Sequence, residues 1–251
     1  MIKAETIINE PFKFKKTCKI YPPTVREMIH DNKGFTYSNL LTQRAEDIYD
    51  IFAEDREKDS SFKVPTPFEF ICLNAYVDNN TKELYLKAFE FFLHEPVAIL
   101  SELKTILIGV REEDIDMEKD LDDPRTLTEK DYFDFQNAIR TAIGDDEVTE
   151  VEDIKNELPQ IARIKALGRK RDRIAAKNNT KNGISFEKTL LALCCMGIGI
   201  TPLNIGEITY ASVTQLLNMC QNKEKYDVDM HLIYAGADSK KINPEYWIRW
   251  N

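Results

Sequence analysis

The segment 185–220 constrains the fold most strongly, because it holds start and stop signals for consecutive helices. Ser185 is a suitable N-cap for a first helix, and Gly197 can end that helix in the left-handed conformation. The apolar side chains between them recur at i, i+4, i+7 and i+8, so they share one helical face. They are Phe186, Leu190, Leu193 and Cys194. The pattern predicts an amphipathic helix that ends in a Gly-rich turn.

A second set of signals predicts that the chain then returns against this helix. Thr201 and Pro202 resemble a cap and a first helical residue, which indicates a helix start. Thr209 indicates a further start, with Ile208 and Val213 placed to contact each other as a hydrophobic staple. The stripe that would pack on the first helix is Val213, Leu216, Leu217 and Cys220. We therefore predict a small all-helical C-terminal module at 184–251, built without a catalytic motif.

The composition is that of a folded protein with room for a second unit. Of the 251 residues, 43% are apolar and 31% are charged, which is typical of globular domains. The longest apolar run, 190–200, is interrupted by glycines and is shorter than the roughly 20 residues that span a bilayer. The first ten residues hold no apolar signal core. We expect a cytoplasmic location and no membrane partner.

Residues 1–157 are predicted to form an N-terminal domain of the α+β class, mainly helical with a few short strands. The segment 12–21, FKFKKTCKIY, predicts a single strand that ends at two prolines, with Phe12, Phe14, Cys18 and Ile20 as the candidate buried positions. The β-compatible runs 97–100 and 105–108 are separated by the four residues SELK and predict a hairpin or two paired strands. The period of the remaining apolar residues is helical.

Three helix starts in this domain have the same local signature. Thr24, Thr66 and Thr128 are each followed three residues later by Glu or Asp, which is the spacing of a capping box. Apolar periodicity over residues 37–52 predicts one continuous helix. Gly144 is placed to end the last helix of the domain.

The charge of the chain changes sign after this domain. Residues 112–157 hold eighteen acidic and five basic side chains, whereas residues 163–181 hold eight basic side chains and one acidic side chain. We predict a basic connecting helix and linker at 158–183, with the linker at 178–183. The basic run could bind nucleic acid, remain solvated, or pair with an acidic segment of this chain or of a partner. A net charge of −9 and the lack of interleaved aromatic residues argue against nucleic acid.

Cysteine and histidine usage does not favour a metal site. The five cysteines are odd in number and lack C-x-x-C spacing, so we expect small buried side chains. They are Cys18, Cys72, Cys194, Cys195 and Cys220. Histidines 30, 94 and 231 are far apart, and the acidic stretch 114–123 lacks the spacing of a calcium-binding loop. We expect no metal, no cofactor, no catalytic residue and no enzymatic activity.

Two stretches resemble proteins of phage tails. The turn of the C-terminal module contains Gly199, Ile200, Thr201 and Pro202, then Ile205, Ile208, Thr209, Leu216 and Leu217. This succession resembles the short helical module of phage tail assembly chaperones. The lysine-rich start followed by residues 20–29, IYPPTVREMI, resembles the beginning of tail proteins from phages of Gram-positive hosts, which are assigned to the same function.

The resemblance implies a protein that binds tail proteins in the host cytoplasm during tail assembly. Its partners would be the tape measure protein and the major tail protein that forms the tube, and the sequence is also compatible with self-association. We predict partner binding at Pro202, Ile205 and Leu216 of the module. The apolar terminus adds Tyr246, Trp247 and Trp250, which either pack back on the module or dock on a partner. The alternatives are a nucleic-acid-binding regulator using residues 163–181 and a structural component of the virion.

Overall fold

A computed structural model describes residues 6, 9–15, 18–59, 61–121, 123–145 and 186–236. We call residues 9–145 of this described chain the N-terminal part and residues 186–236 the C-terminal module. The predicted basic helix, the linker at 178–183 and the terminal aromatic residues lie outside the described residues. The domain boundaries at 157 and 183 also lie outside them and stay predictions.

The described chain is mainly helical with a few short strands, which confirms the predicted α+β class. The strands are β1 (Phe12–Lys13), β2 (Lys19–Ile20), β3 (Val97–Leu100) and β4 (Thr105–Ile108). The helices of the N-terminal part are α1 (Val25–Ile29), α2 (Lys33–Leu41), α3 (Ala45–Ile51), α4 (Ala53–Lys58), α5 (Pro67–Val77), α6 (Asn79–Leu93), α7 (Met117–Asp120) and α8 (Glu129–Ile143). Those of the C-terminal module are α9 (Phe186–Cys195) and α10 (Tyr210–Tyr234). Short 3₁₀ helices lie at His30–Asn32, Glu112–Asp114 and Ile205–Glu207.

The predicted local signals act as expected in the N-terminal part. Capping boxes at Thr24, Thr66 and Thr128 begin α1, α5 and α8, and Pro67 occupies the first turn of α5. Gly144 follows α8 with a φ of 75°, a left-handed conformation that glycine adopts without strain. These three starts and this stop are confirmed.

The predicted hairpin is also confirmed. Strands β3 and β4 pair antiparallel, with Val97 opposite Ile108 and Leu100 opposite Thr105. Leu127 adds a bridge on the open side of Ile106, where the two residues exchange backbone hydrogen bonds of 2.8 and 3.0 Å. Almost every residue of both strands is buried, which explains why the sequence shows short apolar runs without alternation.

The prediction of one strand over 12–21 is wrong. The segment reverses direction, so that β1 and β2 pair antiparallel with Phe12 opposite Ile20. The amide of Phe14 donates to the carbonyl of Cys18 at 3.0 Å and closes the reversal. Folding back places Phe12 and Ile20 together in the core, which a single extended strand could not do.

The prediction of one helix over 37–52 is also wrong, because the chain breaks between α2 and α3. The break leaves backbone carbonyls without partners inside a helix, and side chains of α8 donate hydrogen bonds to them. Gln136 Nε2 donates to the carbonyl of Leu41 at 3.0 Å, and the Arg140 guanidinium donates to the carbonyl of Thr42. Buried carbonyls without partners would be costly, so the long polar side chains of α8 stabilise the break.

The core of the N-terminal part is rich in aromatic rings. Phe89 stacks on Phe135 with ring centroids 5.4 Å apart, and Phe14 meets the edge of Phe135 at 5.5 Å. The fully buried large side chains that share this core are Ile20, Leu41, Phe68, Ile71, Tyr85, Phe89, Phe92, Leu93, Ile106, Leu127, Phe135 and Ile139. We call this cluster the N-terminal core.

Candidate partner-binding surface

The turn that joins α9 to α10, residues 196–204, is organised by one asparagine side chain. The amide of Thr201 donates to Asn204 Oδ1 at 2.7 Å, and Asn204 Nδ2 donates to the carbonyl of Gly199 at 3.0 Å. The backbone amide of Asn204 also donates to the carbonyl of Thr201 at 3.2 Å. These bonds fix the conformation of the segment, which we call the corner turn.

The glycines of the corner turn are needed for its backbone rather than for close packing. Gly197 and Gly199 have φ values of 70° and 83°, and a Cβ added to either would meet no atom within 4 Å. The predicted helix stop at Gly197 is confirmed. The predicted helix start at Thr201 and Pro202 is wrong, because these residues lie in the turn and only a short 3₁₀ helix follows, at Ile205–Glu207. Asn204 uses its side chain to close the turn, so the helical pattern does not develop there.

Apolar side chains of the corner turn face solvent. Met196 and Ile198 are exposed, and Leu203 is 91% exposed. Ile200 between them is buried and anchors the turn. A rigid turn that presents three large apolar side chains is unusual on a protein surface and marks a candidate contact site.

The structure separates the residues that the sequence assigned to partner binding. Pro202 is exposed on the corner turn, whereas Ile205 and Leu216 are half-buried against the core of the module. Tyr246, Trp247 and Trp250 lie outside the described residues. The sequence assignment overlooked Met196, Ile198 and Leu203. The sequence feature that could have indicated their exposure is their position near two glycines, because residues in such a turn have few neighbours that could cover them.

A small apolar cluster packs α9 against α10, the two helices that the corner turn connects. Leu190 and Leu193 of α9 pack with Val213 of α10, and the fourth buried member of the cluster is Val25 of the N-terminal part. Half-buried side chains surround it: Phe186, Ile205, Ile208, Leu216, Leu217 and Cys220. We call this cluster the module core. The predicted stripes of α9 and α10 therefore do bury each other.

The C-terminal module is joined to the N-terminal part by backbone hydrogen bonds. The amide of Val25 donates to the carbonyl of Ile208, and the amide of Tyr210 donates to the carbonyl of Pro23, both at 2.8 Å. Thr24 and Thr209 thus form an antiparallel bridge. This contact places the start of α10 directly beside the start of α1.

Aromatic rings and one ion pair flank this bridge. Phe35 meets the edges of Phe186 and Tyr210 with centroid distances of 5.9 and 5.5 Å. Burial raises the pKa of the Tyr210 hydroxyl above its usual range, so the ring stays neutral at physiological pH. Arg26 and Glu207 approach to 2.6 Å, but both side chains are largely exposed, so their ion pair adds little stability.

A second exposed apolar surface lies on the N-terminal part. Leu73, Tyr76 and Val77 of α5 are exposed at a spacing of i, i+3 and i+4, so they form one stripe. The opposite face of α5 contributes Phe68 and Ile71 to the N-terminal core. We call the exposed stripe the α5 face.

The cysteine thiols of the described residues differ in their burial. Burial raises the pKa of the Cys72 thiol to about 11, which keeps it protonated. Cys195 is exposed, so the expectation of buried cysteines is wrong for this residue. Across the described ranges, no group of three or more His, Cys, Asp or Glu side chains could hold a metal ion. In those same ranges no helix has the length and apolarity to cross a membrane.

Comparison with known protein families gives a match in the C-terminal part of the sequence. Residues 176–250 match a family model described as the YomV second domain, and that family is phage-derived. The matched residues make up less than a third of the chain, and they include α9, the corner turn and α10. No curated protein and no solved structure matches the chain. The match supports a phage origin, the coarser part of the resemblance to tail assembly proteins.

Proposed function

We propose, starting from the phage-derived domain that residues 176–250 match, that this protein is a tail assembly chaperone and not an enzyme. Its clients are phage tail proteins, above all the tape measure protein, and it binds them in the host cytoplasm. The observation that supports the proposal most directly is Leu203, 91% exposed on a rigid turn within the matched residues. The corner turn is the proposed contact site.

The chemistry of the corner turn suits transient binding of an apolar client. Burying the exposed parts of Met196, Ile198 and Leu203 would contribute about 3 to 5 kcal/mol, because complete burial of a fully exposed side chain contributes about 1.5 to 3 kcal/mol. The loss of translational and rotational freedom on association costs an amount of the same order. Binding through this turn alone is therefore weak and reversible, as release of a client to a growing tail requires.

The acidic character of the protein fits the same role. A tape measure protein is long and exposes apolar surface until the tube forms around it, so it aggregates without a partner. The net charge of −9 keeps a complex of binder and client soluble, because like-charged complexes repel each other.

The proposal is tested by complementation of a phage that lacks this gene. The test variant is Leu203→Asp, and the matched control is Val77→Asp on the α5 face, a similar change at a position that is 75% exposed. We expect Leu203→Asp to abolish co-purification of the tape measure protein and to give tailless particles in negative-stain electron microscopy. Val77→Asp is expected to give normal tails.

Three results would overturn the proposal. If both variants support normal tails and bind the tape measure protein equally, the corner turn is not the contact site. If only Val77→Asp abolishes tails, the contact lies on the α5 face. If mass spectrometry finds the protein at fixed stoichiometry in purified particles, it is a structural component of the virion.

A further inference from the structure

We infer that residues 23–35 of the N-terminal part form a docking site for the C-terminal module, and that this site holds the module without a covalent connection. The docking site consists of the bridge residues Pro23 and Thr24, the apolar side chain of Val25, and the ring of Phe35. These residues lie outside the part of the chain that matches the phage-derived domain. The inference does not depend on the proposed function.

Val25 shows that the module is completed by the N-terminal part. Its side chain is 1% exposed, and it belongs to the module core rather than to the N-terminal core. Leu190, Leu193 and Val213 are the other buried members of that cluster. Removal of the N-terminal part would expose one side of the module core, and removal of the module would expose Val25.

The backbone of the docking site offers one hydrogen-bond donor and one acceptor, and their positions restrict which segment can bind. Val25 offers an amide and Pro23 offers a carbonyl on the same edge, and they meet the carbonyl of Ile208 and the amide of Tyr210. The partner must therefore present a short extended segment directly before a helix. The pairing is a single antiparallel bridge, in which the main-chain hydrogen bonds hold the two segments together and the adjacent apolar side chains add specificity.

Close packing at Gly144 adds a second contact to the docking site. A Cβ added to Gly144 would lie 2.9 Å from the Cα of Ala211, so the end of α8 touches the first turn of α10. Only glycine allows this approach at a φ of 75°. The end of α8 therefore holds the module in addition to residues 23–35.

The residues that flank the connecting segment also lie close to the docking contacts. The described N-terminal part ends at Asp145, one residue after the contact of Gly144 with α10. The module begins at Phe186, whose ring lies 5.6 Å from the ring of Tyr210. Both ends therefore lie beside the start of α10. Since the contacts there are made by side chains and backbone of described residues, cutting the connection leaves all of them in place.

The occupant of the docking site is a module of this one type, carried on the same chain or supplied as a separate polypeptide. The test uses the full chain with a protease recognition sequence inserted after Thr180. After cleavage, we expect the two fragments to elute together in size-exclusion chromatography at about 10 µM, because a specific interface of domain–domain type holds them. Circular dichroism then tests whether both fragments keep their helices.

Two variants of the cleavable chain address the docking site from opposite sides. Val25→Asp places a charge in the module core, and Ala211→Leu fills the space that Gly144 leaves. Each is expected to weaken association of the cut fragments by roughly 100-fold or more, because a buried charge or a steric clash opposes the contact. The matched control is Ile29→Asp, an apolar-to-acid change at a position on the same helix that is 43% exposed. It should change association by less than about threefold.

Separation of the wild-type fragments at this concentration, with the N-terminal fragment still folded, would overturn the inference. Equal association of Val25→Asp, Ala211→Leu and Ile29→Asp would overturn it as well. If Val25→Asp unfolds the N-terminal fragment, Ala211→Leu decides, because that change leaves α1 intact.

Discussion

The N-terminal core and the module core bury very different amounts of apolar surface. The N-terminal core contains twelve large side chains that are fully buried, five of them aromatic. The module core has four buried members, and one of these, Val25, comes from the N-terminal part. Two short helical stripes cannot enclose a core by themselves, so the module depends on its contact with α1.

This difference explains why one region is suited to be a scaffold and the other to be a contact surface. Helix α2 contributes Leu41 to the N-terminal core, and its Gly34 packs closely against Met28 of α1. The start of α1 in turn contacts the start of α10. Few side chains of the module are buried in its own interior, and Met196, Ile198 and Leu203 of the corner turn are exposed. Local opening is expected to be easiest where few apolar contacts are buried, which is the module.

The largest effect is expected when the same residue type is truncated in both regions. Phe135→Ala removes a ring that contacts Phe14, Phe89 and Tyr132, and should lower the free energy of unfolding by about 3 to 5 kcal/mol. Phe186→Ala removes a half-buried ring of the module and should cost less than half as much. Urea denaturation followed by circular dichroism measures both, and equal losses would contradict the comparison.

A charge placed at the contact between the regions should disturb only one of them. Ile208→Asp puts a carboxylate beside the module core and should destabilise the packing of α9 against α10 by about 2 kcal/mol or more. Glu207→Gln, one residue earlier and exposed, should cost less than about 0.5 kcal/mol. Near-ultraviolet circular dichroism of the N-terminal aromatic rings should not change. A parallel loss of the N-terminal signal would show that the two cores unfold as one.

Removal of one helix cap in each region gives a smaller, matched effect. Thr66→Ala removes the cap of α5 and should cost about 1 kcal/mol. Thr209→Ala removes the cap of α10 and also a hydrogen bond of 2.8 Å to the carbonyl of Thr6, so it should cost about 1 to 2 kcal/mol. Thermal unfolding of the two variants checks the order. A larger loss for Thr66→Ala would contradict it.

The smallest effect concerns acid stability of the N-terminal part. Burial alone would raise the pKa of Asp131, but hydrogen bonds from Lys15 and Thr128 outweigh it and lower the pKa below its usual value. A lowered folded-state pKa gives stability that is present above the unfolded pKa of about 4 and is lost as the pH falls through the folded pKa. Lys15→Gln should therefore weaken this contribution. If its stability falls with pH in the same way as that of the wild type, Lys15 does not stabilise the carboxylate.

Local signals in the sequence predicted much of the fold. Capping boxes at Thr24, Thr66 and Thr128 depend only on residues three positions apart, so they function in almost any tertiary setting. The hairpin of β3 and β4 was predictable for a similar reason, since its strands are separated by one short turn. The stripes of α9 and α10 followed from the helical period.

The features that the sequence did not reveal depend on distant residues. The break after α2 is stabilised by Gln136, which is 95 residues from its partner Leu41. The bridge between Thr24 and Thr209 joins the N-terminal part to the C-terminal module, and neither residue differs locally from an ordinary helix cap. Leu203 is exposed because of the position of the corner turn in the fold, and the apolar residue type alone does not predict this exposure.

Native-state hydrogen exchange of the full chain tests the central comparison most directly. Amides of α8 should exchange only through global unfolding, whereas amides of α9 should exchange at least about ten times faster through separate opening of the module. Val25→Asp should remove the protection of α9 and leave α8 unchanged. If α8 and α9 exchange with the same free energy of opening in the wild type, the chain unfolds as one cooperative unit, and the account of a scaffold with a docked module is contradicted.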